Sequence, residues 1–207
     1  MERFIVVDYN AGNLTSVLNA FEHVGANVKA SRDPSEIAEA DRLVFPGVGA
    51  ARSAMETLEK TGIGKAIVEV VRKKRPVLGI CIGCQIILNS SEENGGVDTL
   101  GLIDGKAVRF QDEAGIKIPH MGWNQVELLK EHPLFEGIPN NSDFYFVHSF
   151  HPAEIAPENA LTRTTYGSQT FTSAVCKENL VATQFHLEKS GDVGLRVLKN
   201  FSTWSGK

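Results

Sequence analysis

A single α/β domain with a mostly parallel sheet covered by helices on both faces is the fold class that the sequence predicts. Three observations carry it. Short β-type apolar runs alternate with helix-period segments through the first ninety residues. These runs read as buried strands, as a sheet covered on both faces requires. After about residue 100 the texture changes to closely spaced extended runs, which predicts additional antiparallel strands in the C-terminal half.

The elements follow in order. Residues 4–9 read as a strand, and Leu14, Val17, Leu18, Phe21 and Val24 keep helical spacing behind the turn formers Asn10-Ala11-Gly12-Asn13, which makes one βα unit. Residues 28–31 form a second strand, 34–40 a short helix, and 42–45 a third strand closed by Pro46-Gly47. Helices over 51–60 and 64–74 precede a strand at 76–80. Beyond it, residues 106–110, 123–129, 144–150, 161–166, 171–177 and 180–186 are extended, with Lys177-Glu178-Asn179 as a hairpin turn between the last two. A final helix from about Ser190, a suitable N-cap, carries Val193, Val197, Leu198 and Phe201 on one face.

Size and composition bound the function. The 207 residues suffice for one full core, so 1–207 is taken as one domain. Apolar residues make up 42% and charged residues 22%, the balance of a soluble globular protein. A net charge of -4 and a pI near 5.9 exclude nucleic acid as a partner, since the one basic run, Arg72-Lys73-Lys74-Arg75, reads as a solvated helix end. The apolar run after Met1-Glu2-Arg3 is too short for a signal-peptide core, and no segment reaches bilayer-spanning length, so a cytoplasmic protein without membrane contact is expected. The three cysteines are too few for a disulfide framework and read as reduced thiols or reactive groups.

Gly79-Ile80-Cys81-Ile82-Gly83 is the segment that carries chemistry. A nucleophile on a sharp strand-to-helix turn projects from the carboxyl edge of a sheet, and glycines two positions away on each side relieve the crowding of that turn. Cys81 has this spacing, and a helix N-terminus beside it stabilises a thiolate. The competing readings are a buried small hydrophobe, a Cys81-x-x-Cys84 redox pair, and zinc binding, the last disfavoured because Cys176 stands alone. A nucleophile needs a base and a group to orient it. His186-Leu187-Glu188 supplies both if the chain stays extended, because residues two apart then face the same side. Phe45-Pro46-Gly47-Val48-Gly49 ends a predicted strand at the same sheet edge. Arg52 occupies the third glycine position of a dinucleotide fingerprint, so an oxyanion hole formed by the Val48–Gly49 loop with the N–H of Ile82 is expected instead, an ordinary turn being the alternative.

Assembled, these segments resemble the class I (triad) glutamine amidotransferases, and within them the glutaminase subunits of imidazole glycerol phosphate synthases. The residues that carry the resemblance are Asp8-Tyr9-Asn10-Ala11-Gly12-Asn13, Pro46-Gly47-Val48-Gly49, Gly79 to Gln85, Pro119-His120-Met121-Gly122-Trp123-Asn124, Tyr145-Phe146-Val147-His148-Ser149, and Gln184-Phe185-His186-Leu187-Glu188-Lys189-Ser190. The resemblance implies the class I amidotransferase fold and a Cys81-His186-Glu188 triad that releases ammonia from glutamine through a γ-glutamyl thioester. It implies that Gly49, Gln85, His148, Ser149 and Phe150 hold glutamine, that no cofactor or metal is used, and that a (β/α)8-barrel cyclase subunit receives the ammonia as a heterodimer partner. Pro119, His120, Met121, Trp123, Asn124 and Lys189 match positions at or near that contact, with Met121 and Trp123 as core residues the other reading. Two positions depart from the family pattern: Leu187 stands where proline is usual between base and orienter, and Cys84 where methionine is more common. The rival functions are an amidotransferase subunit serving another synthase, a non-catalytic regulatory subunit, and a thiol redox protein.

Overall fold

The computed structural model describes residues 2–9 and 12–207, so Asn10 and Ala11 of the expected first turn lie outside the described residues. The first half builds βα units: β1 (Phe4–Val7), α1 (Leu14–His23), β2 (Lys29–Ser31), α2 (Pro34–Ala38), β3 (Arg42–Gly47), α3 (Ala51–Thr61), α4 (Ile63–Arg72), β4 (Val77–Cys81) and α5 (Ile82–Ile86). Short β5 (Ser90–Ser91) and β6 (Val97–Asp98) lead into β7 (Lys106–Arg109), β8 (His120–Leu128), β9 (Ser142–His148), β10 (Phe150–Ala153), β11 (Ala160–Tyr166), β12 (Gln169–Lys177), β13 (Leu180–Thr183) and α6 (Gly191–Thr203). The expected run at 144–150 is therefore two strands that part at Ser149, joining different sheets.

A nine-stranded sheet has the order β2-β1-β3-β4-β13-β12-β11-β8-β9. Its first half, through β4 and β13, is parallel, and from β13 to β9 every pairing is antiparallel. A second, four-stranded sheet runs β10-β7-β5-β6. Side-chain alternation along β1, β3 and β4 divides the core. Phe4, Val6, Val44, Leu78 and Ile80 pack with Val17 and Phe21 of α1 and Val197, Leu198 and Phe201 of α6. Ile5, Val7, Leu43, Phe45 and Val77 face Leu58 of α3 and Ile63, Ile67 and Val70 of α4. Three layers result, with the sheet between helices.

Register then sets the site. Gly47 pairs with Cys81 at the end of β3–β4, and Thr183 pairs with Ile80 at the end of β4–β13. The loop after β3, the elbow after β4 and the chain after β13 therefore leave the sheet at the same carboxyl edge, where ligands bind in open α/β sheets.

The basic run at 72–75 is the solvated end of α4, with Lys73 paired to Glu39 at 2.9 Å and Glu69 at 3.4 Å, Lys74 to Glu178, and Arg75 to Asp41 at 3.4 Å. One local expectation is corrected. Ser190 precedes α6 without capping it. Its hydroxyl instead donates to the His186 carbonyl at 2.5 Å and accepts from the Tyr145 N–H at 3.0 Å, fastening the chain after β13 to β9.

Arg42 closes the C-terminal end of α6. Its Nη1 donates to the carbonyls of Phe201 and Trp204, each at 2.6 Å, while the guanidinium lies 5.6 Å from the Phe4 ring centroid and 5.4 Å from that of Phe201. Replacing it removes the guanidinium from both carbonyls and leaves that of Phe201 only the long 3.3 Å bond from the Trp204 N–H. Arg42→Met, which keeps the apolar stem, is expected to lower unfolding stability by about 2 kcal/mol. A urea midpoint equal to the parent's would refute this capping role.

Candidate active site

Cys81 occupies the turn from β4 to α5 with φ 55° and ψ -102°, a backbone that a side chain rarely adopts. The flanking glycines explain how it fits. A Cβ on Gly83 would stand 2.5 Å from the Phe45 carbonyl oxygen, and one on Gly79 3.0 Å from both Ala182 Cβ and the Gly83 carbonyl. The thiol is turned into the protein, 4.0 Å from the Val147 carbonyl, with Gln184 Nε2 at 3.8 Å from the sulfur.

His186 and Glu188 meet, by a route that the sequence spacing misses. The strand ends at Thr183, and Leu187–Lys189 is a 3-10 turn, so the two side chains come together through a turn and not along extended chain. His186 Nδ1 lies 2.7 Å from Glu188 Oε1, both side chains wholly buried. Leu187, in the family's usual proline position, is itself fully buried and packs into the core. Since a carboxylate only accepts, Nδ1 carries the proton and Nε2 is left for the thiol side. That nitrogen makes no hydrogen bond of ordinary geometry, while the Cys81 sulfur beside it favours the charged ring both by its charge and as a hydrogen-bond acceptor.

Charge sets the protonation of the pair. Burial disfavours the imidazolium of His186, but the neighbouring Cys81 and the Glu188 carboxylate outweigh it and raise the ring to about 10. Burial likewise works against the Glu188 carboxylate, yet His186 and a 2.8 Å hydrogen bond from Asn13 Nδ2 hold it below the usual carboxylate value. Asn13 and Gln184 are site residues to which sequence spacing assigns no role. Asn13 stands at the N-cap of α1 and makes no side-chain cap there, its amide being turned to Glu188. Of the five buried side-chain polar atoms without a partner among the described residues, four surround this site: Tyr9 Oη, Asn13 Oδ1, His186 Nε2 and Glu188 Oε2. Orphaned buried groups at one place mark a functional site more often than a packing region.

A cavity of about 320 Å³ opens beside the sulfur. Val48, Gly49, Cys81, Ile82, Gln85, His148, Ser149 and Phe150 line it, which brings together every residue expected in the oxyanion hole and around glutamine. Glu93 and Pro119 line it as well. Glu93, at the start of a 3-10 turn over Glu93–Gly95, accepts a 2.6 Å hydrogen bond from the Ala51 N–H, a non-local contact with no sequence signal.

The residues expected at a partner contact divide. Met121 and Trp123 are 61% and 57% exposed, not core, and Lys189 Nζ sits 5.8 Å from the Tyr145 ring centroid. His120 departs from the expectation: its ring is buried between Phe146 and Tyr166, with centroids at 4.7 and 4.0 Å, and faces inward. Cys84 is fully buried and its thiol is pushed upward by burial and by Cys81, which removes the thiolate that a redox pair needs.

Residues 5–203 match the sequence pattern of the family described as "Glutamine amidotransferase class-I". The chain belongs to the class I glutamine amidotransferases. Among relatives, the "Imidazole glycerol phosphate synthase subunit HisH" of Methanosarcina barkeri is 48% identical over 202 residues, 97% of this chain and 98% of that protein. The protein of the same name from Acinetobacter baylyi is 47% identical over 206 residues, 99% of this chain and 100% of the other. Among solved structures, a glutamine amidotransferase superposes with a TM-score of 0.74 at 17% identity, covering 97% of this chain and 99% of that one. A glutamine amidotransferase from Thermotoga maritima superposes with a TM-score of 0.61 at 18% identity, over 90% of this chain and 76% of the other. At such identities the superpositions speak for the fold alone. The expected α/β architecture with added antiparallel strands is thus the family's.

The two raised and lowered values give a pH dependence with a definite sign. His186, raised to about 10, contributes stability that is full below its ordinary 6.5 and is lost as pH rises through about 10. Glu188, lowered, contributes stability that is present above its ordinary 4.5 and is lost as acid protonates it in the folded protein. Glu188→Gln is therefore expected to unfold about 2 kcal/mol more easily than the parent at neutral pH. Urea melts across pH should show that gap narrowing in alkali near pH 10 and again in acid. A gap that ignores pH would mean that charge is not what the pair contributes.

Proposed function

We propose that the chain is the glutaminase subunit of an imidazole glycerol phosphate synthase, an enzyme of histidine biosynthesis, and that Cys81, His186 and Glu188 are its catalytic residues. The observation that carries the reading is a thiol at φ 55° on a strand-to-helix elbow, beside a buried His186–Glu188 pair 2.7 Å apart, at the mouth of a cavity. Relatives named for that synthase, 47–48% identical across nearly the whole chain, support the choice of this pathway over those served by other amidotransferases.

In this reading each residue has a task. The sulfur of Cys81 attacks the side-chain amide carbon of glutamine, and the carbonyl π pair moves onto oxygen. N–H groups of Ile82 and of the Val48–Gly49 loop, which line the same cavity, receive that oxyanion. His186, charged and oriented by Glu188, gives its Nε2 proton to the departing nitrogen, so that ammonia leaves and a γ-glutamyl thioester remains. Neutral His186 then takes a proton from water as the water attacks the thioester, and glutamate and the thiolate are regenerated. Gln85, His148, Ser149 and Phe150, from α5 and the β9–β10 junction, surround the amino-acid part of the substrate.

A synthase subunit works with a partner, and the partner of this reading is a (β/α)8-barrel cyclase. It joins the ammonia to a phosphorylated ribulosyl intermediate, giving imidazole glycerol phosphate and an aminoimidazole carboxamide ribotide. Exposed Met121 and Trp123, with Val48 at 41% exposure beside the cavity, offer an apolar face for such a docking next to the nucleophile. Among the described residues no helix is long and apolar enough to cross a membrane, which accords with a cytoplasmic complex.

Glutamate release is the assay. In the complex with the barrel subunit, Cys81→Ala is expected to lower it by about 10³-fold or more, while synthesis from added ammonia persists. Comparable glutamine consumption by that variant would remove Cys81 from its role. Gly49, at φ 102°, lies in a loop where glycine lets the peptide turn its N–H toward or away from the oxyanion. The chain alone is accordingly expected to turn over slowly, and barrel plus nucleotide substrate to raise the rate about 100-fold or more. Full activity of the isolated chain would mean that the loop is already set.

A further inference from the structure

A string of hydrogen-bonded polar groups, most of them buried, runs from the strand bearing the exposed Met121 and Trp123 to the sulfur of Cys81. Asn124 Nδ2 lies 3.2 Å from His120 Nε2, His120 Nδ1 3.0 Å from His148 Nε2, and His148 Nδ1 2.8 Å from the Phe150 carbonyl. That carbonyl also takes a 2.9 Å hydrogen bond from Gln85 Nε2, which donates again to Gln184 Oε1 at 3.1 Å. Gln184 Nε2 completes the string 3.8 Å from Cys81 Sγ.

Elementary donor and acceptor rules fix every proton in it. A carbonyl only accepts, so His148 Nδ1 carries the hydrogen and the Nε2 of that neutral ring accepts. His120 Nδ1 must then donate, which leaves His120 Nε2 to accept from Asn124. The amide of Asn124 cannot be reversed, because its other N–H donates to the Thr165 carbonyl at 2.9 Å and its oxygen accepts from the Gln125 N–H at 2.8 Å. Burial lowers His120 to about 4 and His148 well below its ordinary value, so both rings stay neutral near pH 7 and the order of donors persists.

We propose that His120 is a positioning residue for glutamine hydrolysis, which as donor to His148 holds the Phe150 carbonyl, and through it Gln85 and Gln184, in register with the Cys81 sulfur. The inference rests on the glutaminase reading above. It gives the strand with the exposed Met121 and Trp123 a direct hold on the pocket, because Asn124 and His120 belong to that same strand.

A ring stacked between Phe146 and Tyr166 has an obvious rival explanation, that His120 merely fills an aromatic slot. Two substitutions separate the ideas by reversing their order. His120→Asn places an amide N–H near the position of Nδ1 and keeps the donor, whereas His120→Phe keeps the stack and removes it. In the complex with the barrel subunit, kcat/KM for glutamine is expected to fall by about tenfold or more in His120→Phe and to remain within about threefold of the parent in His120→Asn. Co-elution of each variant with the barrel subunit in size-exclusion chromatography reports that either complex is assembled. A Phe variant as active as the Asn variant, or more so, overturns the proposal. A parent complex that releases no glutamate from glutamine overturns the glutaminase reading instead. Should a variant fail to fold, histidine-labelled parent chain gives the answer by long-range 15N NMR. Both His120 and His148 are expected as the Nδ1–H tautomer, and a proton on Nε2 of either ring breaks the string.

Discussion

Everything at the site depends on the left-handed backbone of Cys81. A non-glycine residue in so sparsely populated a region costs about 1–3 kcal/mol, and it persists only where the surroundings leave the chain no easier path. Here the surroundings are glycine-lined. Gly83 lets α5 approach the Phe45 carbonyl more closely than any Cβ would allow, and Gly79 lets β4 lie flat against Ala182 of β13. The turn thereby aims the thiol inward, toward Val147 and Gln184, while Ile82 at the start of α5 lines the cavity. Strain at one residue, held by close approach at two, is what fixes the direction of a cysteine thiol at the end of a hydrophobic sheet.

Around that turn the electrostatics are arranged at the expense of ordinary stabilising contacts. Asn13 could cap α1, a contribution of about 1 kcal/mol in a typical helix, but its amide serves Glu188. Ser190 could cap α6, and its hydroxyl ties the His186 carbonyl to β9 instead. Glu188 and His186 are both withdrawn from solvent, where the charged forms are favoured because each satisfies the other and because Cys81 and Asn13 add to it. Local stability has been exchanged for orientation at two helix starts, and both exchanges concern the same imidazole.

What could be read from sequence was what depends on neighbours along the chain. Alternating apolar runs gave the strand and helix order, and the glycines around Cys81 gave the elbow, since both signals lie within a few residues. The His186–Glu188 contact was legible as a pair but not as a turn, because extended spacing and a 3-10 turn both bring residues two apart within reach at a strand end. Asn13, Gln184 and Glu93 were not legible as site residues: each acts across a sequence separation of 42 to 175 residues, set by sheet order and loop packing. His120 shows the same limit from the other side. Its motif suggested a surface contact, and only the pairing of β8 with β9 shows that His120 opposes His148 and turns inward.

The sheet order also bears on how the protein comes to be active. β13 lies in the middle of the sheet, between β4 and β12, although it is the last strand in the chain. As the polypeptide emerges from the ribosome, β4 and its elbow have an unpaired edge for the roughly hundred residues of synthesis that separate Cys81 from Leu180. The imidazole comes to the elbow only when that central gap is filled, so inserting one strand both completes the sheet and assembles the candidate site. A nascent chain, or one truncated before β13, thus holds Cys81 without His186 and Glu188, so on the proposed roles the order in which the strands are made keeps the thiol and its partners apart until the sheet is complete.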